Sequence, residues 1–304
     1  MYSKLQCALM MVASVIIAVS VSTIPTRAAD ESKDLQSQID KLKKQVNKLQ
    51  AKLAYMRVED APINGLAGPH VIFEGCNVHV RSGSGDSSDG TFDLDAREAI
   101  PDTTPLGLGN LLVGYNEEAP AKSGGRGGSH NLIIGARHSY PNVGGLVLGQ
   151  ASTISGAFAT VTGGIENTSN GAYSSVSGGI ENTASGIYSS VSGGFDNSAS
   201  GSGSSVSGGD GNSASGVYSS VSGGLINFAS GIYSSVSGGF DNTASVSTSS
   251  VSGGVGNTAS GNSSSVSGGS GNTASGSKSS VSGGHLHAAP GLEDWVAGGL
   301  FQEN

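Results

Sequence analysis

Apolar residues follow three different rhythms along this chain. From the N-terminal side, Leu35, Ile39, Leu42, Val46, Leu49, Leu53 and Met56 recur at alternating steps of four and three. That is a heptad seam, with Ile39, Val46 and Leu53 at a and Leu35, Leu42, Leu49 and Met56 at d. The spacing predicts a helix within 29–58, capped by Asp30 or Ser32 and stopped before Pro62. A strict 3.5 period suits a partner helix; an amphipathic helix docked on its own domain is the alternative. Lys43, Gln45, Gln50 and Lys52 at the flanking positions carry no ion-pair code. The seam therefore predicts an oligomer and leaves the number of chains open, with β-branched a positions leaning toward two.

The second rhythm is a lone valine every fifteen residues. Nine units from Gly156 to Pro290 follow one another without insertion or deletion, as in GIYSSVSGGFDNTAS, 231–245. We number the places in each unit from 1, so that Gly156 is place 1 of the first unit. Valine holds place 6 throughout: Val161, Val176, Val191, Val206, Val221, Val236, Val251, Val266 and Val281, with Val296 one period further on. Asparagine holds place 12 in eight units: Asn167, Asn182, Asn197, Asn212, Asn227, Asn242, Asn257 and Asn272. A flexible Gly/Ser linker needs composition and no phase. Fixed phase predicts stacked coils, each with a short strand at the valine, a Gly-Gly bend and a second strand or turn through the NTAS segment. The Asn column suits a turn and a side-chain ladder. Ala at place 14, from Ala184 to Ala289, suits a second inward and space-limited site.

Upstream, a third rhythm of short apolar runs aligns with TVTGG, 160–164: NLLVG, 110–114; NLIIG, 131–135; and GLVLG, 145–149. Leu111/Val113, Leu132/Ile134 and Leu146/Leu148 have the same-face spacing of a strand. Downstream, Trp295, Leu300 and Phe301 are expected to cover the open end of the stack, as terminal repeats must. Tyr173, Tyr188, Tyr218, Tyr233, Phe195 and Phe240 would gain burial if another chain covered them.

Composition supports a repeat architecture over an ordinary core: 50 glycines in 304 residues, 12% charged and 5% aromatic. The first residues, with Lys4 ahead of an apolar stretch from Leu5 to Val21 and small residues at Thr26 and Ala28, read as a signal peptide cleaved after Ala28. An uncleaved membrane anchor is the alternative. Removing 1–28 takes away Lys4 and Arg27 and no acid, so the net charge moves from −8 to −10. An acidic exported chain without a basic patch is a poor nucleic-acid partner. Only Cys76 then remains, read as a buried thiol in a strand HVIFEGCNVHV, 70–80, with an intermolecular bridge as the alternative. The resulting organisation is a signal peptide, 1–28; a coiled coil, 29–58; a linker with one strand and an acidic Gly/Ser-rich loop, 59–105; and a head, 106–304, with regular units at 156–290 and a capping coil at 291–304.

Candidate chemistry is sparse. The acidic run 83–102 fails as a calcium loop, because counting from Asp86 puts Gly90 at the fifth position and Arg97 at the twelfth; a solvated loop is expected. His285 and His287 would share a strand face, but no third ligand accompanies them, and His70, His79, His130 and His138 show no ligand spacing. Glu117 and Glu118 read as solvated loop acids. No nucleophile, base and orienter can be singled out, so no cofactor, metal or catalytic residue is assigned. Between 156 and 290 the chain has one Lys, Lys278, and five acids: Glu166, Glu181, Asp196, Asp210 and Asp241.

The SSVSGGxxNTASG pattern, preceded by NLIIG and GLVLG variants, resembles the head repeats of trimeric autotransporter adhesins, the YadA-like head. Val176, Ser177, Gly178 and Gly179 match the V, A, I and G of that family's core motif, with Gly178 standing for Ile. The resemblance implies a left-handed parallel β-roll, three rolls packed as a homotrimer, and adhesion to matrix protein, glycan or cell surface. The heptad segment here precedes the head, whereas in that family the stalk follows it, and no anchor segment is recognisable. An ice- or glycan-binding solenoid is the alternative, weakened where Phe228 breaks the threonine column; a β-helical carbohydrate-active enzyme is a further one, with 81–105 and 115–130 as its only candidate cleft loops.

Overall fold

The computed structural model describes residues 27–63, 66–118 and 125–297; residues 1–26, where a signal peptide is expected, and Leu300 and Phe301 lie outside them. Two compact units divide at His79 and Val80.

In the first unit, helix α1 spans Arg27–Lys52. It is already helical at Asp30 and Ser32, so neither residue caps it. Its side chains bond one turn apart, Gln38 to Asp34 at 2.9 Å and Gln36 to Asp40 at 3.2 Å. The helix stops earlier than Pro62 demands. Leu53 lies in the turn after it, and Met56 opens strand β1 (Met56–Glu59), paired antiparallel with β2 (His70–Phe73) in the register Met56↔Phe73 and Val58↔Val71. Arg57 pairs with Glu59 on its own strand at 3.6 Å and with Glu74, next after β2, at 3.5 Å. The seam thus loses Met56 to a hairpin. Leu35, Leu42 and Leu49 are exposed along α1, with Ile39 and Val46 half-buried. Cys76 is a free, exposed cysteine, because β2 ends at Phe73 and Gly75, at φ 72°, turns the chain. Among the described residues no helix is long and apolar enough to cross a membrane.

The second unit is a parallel β-solenoid. Places 5 and 6 form a 13-stranded parallel sheet, and places 13 and 14 a 10-stranded one. Between them, place 10 forms a third column of single bridges, Ile165↔Ile180↔Phe195↔Asp210↔Leu225↔Phe240. In the regular units each strand is only two residues long, so place 5 faces out and place 6 faces in. The valines from Val161 to Val281 and the alanines from Ala184 to Ala289 are at most 1% exposed and form one continuous core.

Backbone bonding explains how so little apolar mass is enough to order the coil. Ser175 N–H donates forward to Ser189 C=O at 3.0 Å, and Thr183 N–H to Asn197 C=O at 2.8 Å. Two places per unit bond backward: Tyr173 N–H to Ala157 C=O at 2.9 Å and Glu181 N–H to Ile165 C=O at 3.1 Å. These are places 3 and 11, and both are left-handed, at φ 58° for Tyr173 and for Glu181. The reversal of the N–H lets each corner turn without orphaning a donor. At place 9 only glycine fits: Gly194 has φ 93°, and a Cβ there would collide with the Gly209 carbonyl of the next coil.

Upstream, the strands Leu111–Val113, Leu132–Ala136 and Leu146–Gln150 extend the 13-stranded sheet. Their register corrects the expected alignment by one residue. Ile133 pairs with Val147 and Val147 with Val161, so the middle residue of the second and third runs faces inward, at 2% and 0% exposure, while Leu112, paired with Ile133 at the end of the sheet, stays 38% exposed. Leu132/Ile134 and Leu146/Leu148 lie half-buried on the opposite face, since a one-residue slip flips every side chain.

The acidic segment is also more ordered than a solvated loop. Phe92–Asp93 and Glu98–Ala99 form an antiparallel hairpin, its turn held by Asp93 Oδ1 accepting from the N–H groups of Asp95 and Ala96, both at 2.8 Å. At the other end Trp295 does not act as a lid. It occupies place 5, faces outward at 68% exposure, and donates its indole N–H to Ser282 Oγ at 2.9 Å.

Candidate interaction surface

The interior of the rod holds a polar ladder. Each Asn at place 12 accepts, through Oδ1, the backbone N–H of the next: Asn182 to Asn167 at 2.9 Å, then Asn197, Asn212, Asn227 and Asn242 each at 3.0 Å. Its Nδ2 donates to the place 8 carbonyl of its own unit and the place 9 carbonyl of the next, as Asn197 does to Gly193 at 3.0 Å and Gly209 at 2.9 Å. The Asn column is a buried ladder, and the left-handed corner belongs to the residue before it. Upstream, Ser152 Oγ accepts from Asn167 N–H at 3.3 Å, and His138 Nδ1 from Ser152 N–H at 3.2 Å. Downstream, His287 N–H donates to Asn272 Oδ1 at 2.9 Å. His287 therefore ends the ladder while His285 stands in the place 10 bridge, and Leu286 between them is left-handed at φ 56°. The two histidines do not share a strand face.

A few charged groups of the second unit are held in local bonds. Asp89 has a fully buried side chain, 3.9 Å from His130 Nδ1. Burial opposes its ionisation, but hydroxyls of Ser129, Ser82 and Ser84 and the Leu106 N–H outweigh it and hold the carboxyl well below the usual carboxylate range. Ser82 and Ser84 Oγ donate to Asp89 Oδ1 at 2.5 and 2.7 Å. Asp86 is lowered too, by the N–H and hydroxyl of Ser88, and stays exposed. An open cavity beside them, about 410 Å³, is lined by residues that include Arg81, Ser82, Asp86 and His130. Among the described residues no three His, Cys, Asp or Glu side chains gather as a metal ion would require. His70 Nε2 lies 3.2 Å from Leu66 C=O, and Glu117 and Glu118 are exposed.

The outer surface carries the stronger signal. Corner places 2 and 3 bear a stack of rings: Phe158 on Tyr173 and Tyr173 on Tyr188, each at 5.3 Å between centroids, then Tyr218 on Tyr233 at 5.3 Å beyond a gap at Gly203. The hairpin covers the first of these. Phe92, 4% exposed, meets Phe158 and Tyr173 edge-on at 5.4 and 5.7 Å, in space left by Ala157 and Ala172. Arg97 Nη1 donates to Tyr188 Oη at 3.1 Å, its guanidinium 5.9 Å from that ring's centre. Beyond the hairpin, Tyr218 and Tyr233 stay 57% and 60% exposed, beside exposed Val217 and Ile232. On the other corner, Ile165, Ile180, Phe195, Leu225, Phe240 and Val255 form a second exposed column. The threonines of place 13 pair across coils, Thr168↔Thr183 and Thr243↔Thr258, and exposed Phe228 interrupts them.

Sequence reasoning named the aromatic residues but missed that place 10 forms an apolar column, since hydrophobic residues there alternate with Asp210, Ser270 and His285. The fifteen-residue phase was the available signal. No protein-family model matches this sequence, and no curated protein matches it.

Proposed function

We propose that this chain is a secreted or cell-surface protein without enzymatic activity, in which a β-roll head on an N-terminal coiled coil assembles as a homotrimer and binds matrix protein, glycan or other cells. The observation that supports it best is the pair of exposed apolar columns on a rod otherwise covered mainly by Ser, Thr and Gly. An axial column with Phe195 at 46%, Phe240 at 43% and Val255 at 47% exposure is a surface suited to being covered by protein. The heptad seam, with Leu35, Leu42 and Leu49 at 55–57% exposure, is a second such surface. The resemblance to YadA-like heads motivates the left-handed winding, the count of three and the adhesive role, and the N-terminal segment motivates export with cleavage after Ala28.

The outward rows of short hydroxyl side chains repeat at coil spacing, ~4.8 Å. Such a lattice suits repetitive ligands better than a single small molecule, which needs a concave pocket. The test is sedimentation equilibrium of residues 29–304 together with retention on surfaces coated with matrix proteins or glycans. A trimer that is retained on at least one surface is expected. A monomer, or a trimer that no surface retains, contradicts the reading.

A further inference from the structure

We infer that the two apolar columns cover each other between copies of this chain that lie parallel and without axial offset, third unit against third and fifth against fifth. The inference rests on the homo-oligomer proposed above and adds which surfaces meet and in which register.

The ground is a coincidence of level. In the third unit, Ile187 and Tyr188 stand on one corner at 46% and 45% exposure, and Phe195 on the other at 46%. The fifth unit has Val217 and Tyr218 with Leu225, and the sixth Ile232 and Tyr233 with Phe240. In the fourth unit both columns lose their bulk at once: Ser202 and Gly203 on one corner, Asp210 on the other. The eighth repeats this, with Asn262 and Ser263 opposite Ser270. From the third unit to the eighth only the seventh departs, where Val255 shares its level with Ser247; in the first two, Phe92 already covers the corner that shares its level with Ile165 and Ile180.

Within one coil the two corners are separated by the place 5 and 6 strand and the Gly-Gly bend, so the coil itself does not require them to change together. A neighbouring copy at the same height does. Bulky side chains then meet bulky ones, and Asp210 meets Ser202 and Gly203, where small residues leave room for its hydration. An offset of one coil would press the Asp210 carboxylate against Ile187 or Val217, desolvating a charge without a partner. The occupant that fits is therefore a second copy, since a foreign surface has no reason to match both columns level by level. A symmetry axis along the rod keeps all copies at one height, and two different columns per chain allow a closed ring.

The test uses full-length chains carrying Cys7→Ser and Cys76→Ser. One chain also carries Ile187→Cys, and a differently tagged, co-expressed chain carries either Phe195→Cys at the same level or Phe240→Cys three coils away, ~14 Å along the axis. Sedimentation is measured on the same samples. Oxidation is expected to cross-link Ile187→Cys to Phe195→Cys at least tenfold more than to Phe240→Cys. An oligomer in which the same-level pair has no such advantage overturns the inference alone. A monomer overturns the homo-oligomer reading and, with it, this one.

Discussion

The backbone N–H of Asn227 donates to Oδ1 of Asn212 at 3.0 Å, and Asn227 Oδ1 accepts from the N–H of Asn242 at the same distance. Its Nδ2 donates to the carbonyls of Gly223 and Gly239, each at 3.0 Å. One residue with a fully buried side chain thus links three successive coils. Aspartate would supply the acceptor without the donors and would stack charge on itself. Glutamine would be one methylene too long for a space bounded by glycine on both sides. The column is an obligatory hydrogen-bond partner for bends that no strand completes.

Replacing Asn227 by Ala should therefore be far more costly than replacing a neighbouring buried serine. It orphans the Asn242 N–H and the Gly223 carbonyl, at ~1–3 kcal/mol for each group that water cannot reach, while the Gly239 carbonyl keeps the Leu225 N–H at 2.9 Å. Ser219 Oγ, by contrast, is buried without a hydrogen-bond partner, so Ser219→Ala should be neutral or slightly stabilising. Urea unfolding of the two variants checks the contrast. Equal losses would contradict the ladder's role.

Left-handed corners predict where stability can be gained. Thr248 sits at place 3 with φ 55°, a conformation that costs a β-branched residue ~1–2 kcal/mol. Asn tolerates that region, so Thr248→Asn should stabilise the rod by about 1 kcal/mol, seen as a rise in Tm. A fall in Tm would mean that the Thr248 hydroxyl, 2.8 Å from Ser263 Oγ, matters more than the corner's strain.

Phe92 ties the hairpin to the first coils. Phe92→Ala removes its edge-on contacts with Phe158 and Tyr173 and should cost ~3–5 kcal/mol locally. Each coil contacts only its neighbours, so hydrogen exchange should accelerate in 88–175 and stay unchanged beyond about 230. Uniform acceleration along the rod would refute this local coupling.

Acid should loosen the upstream coils in two windows. Burial pushes the His138 pKa below its ordinary 6.5, and both ring nitrogens are engaged: Nδ1 accepts from Ser152 N–H, and Nε2 lies 3.1 Å from Ile134 C=O. The unfolded chain binds the proton first, so this stability is complete above about pH 6.5 and declines as pH falls below it. The Asp89 carboxyl, held low despite its burial, contributes stability that is complete above its ordinary 3.8 and lost on further acidification. His138→Asn keeps an acceptor in the column and does not titrate. Its Tm should be flatter than that of the parent between pH 6.5 and 5, and an unchanged slope would exclude His138 as the cause.

The winding was legible because Val161 to Val281 repeat with no slip, and a buried column is the one environment that tolerates neither insertion nor charge. The corners were not legible. Tyr173 and Glu181 adopt left-handed geometry that their side chains disfavour, and only the inter-coil bonds of their N–H groups require it. The step from Val147 to Val161 was read one residue out of register because both faces of those strands are apolar, which leaves the period without a polar marker. Asp89 looked solvated because Ser129, one of its partners, lies forty residues away in sequence. Met56 fits the heptad numerically, yet pairing with Phe73 claims it for a hairpin.

The most direct test of the winding is the distance between two exposed place 7 residues four coils apart. Spin labels at Ser192 and Ser252, diluted with unlabelled chain, should give a narrow distribution near 19 Å, four steps of ~4.8 Å. A broad distribution centred near 40 Å, as sixty residues of flexible Gly/Ser chain would give, would contradict the account.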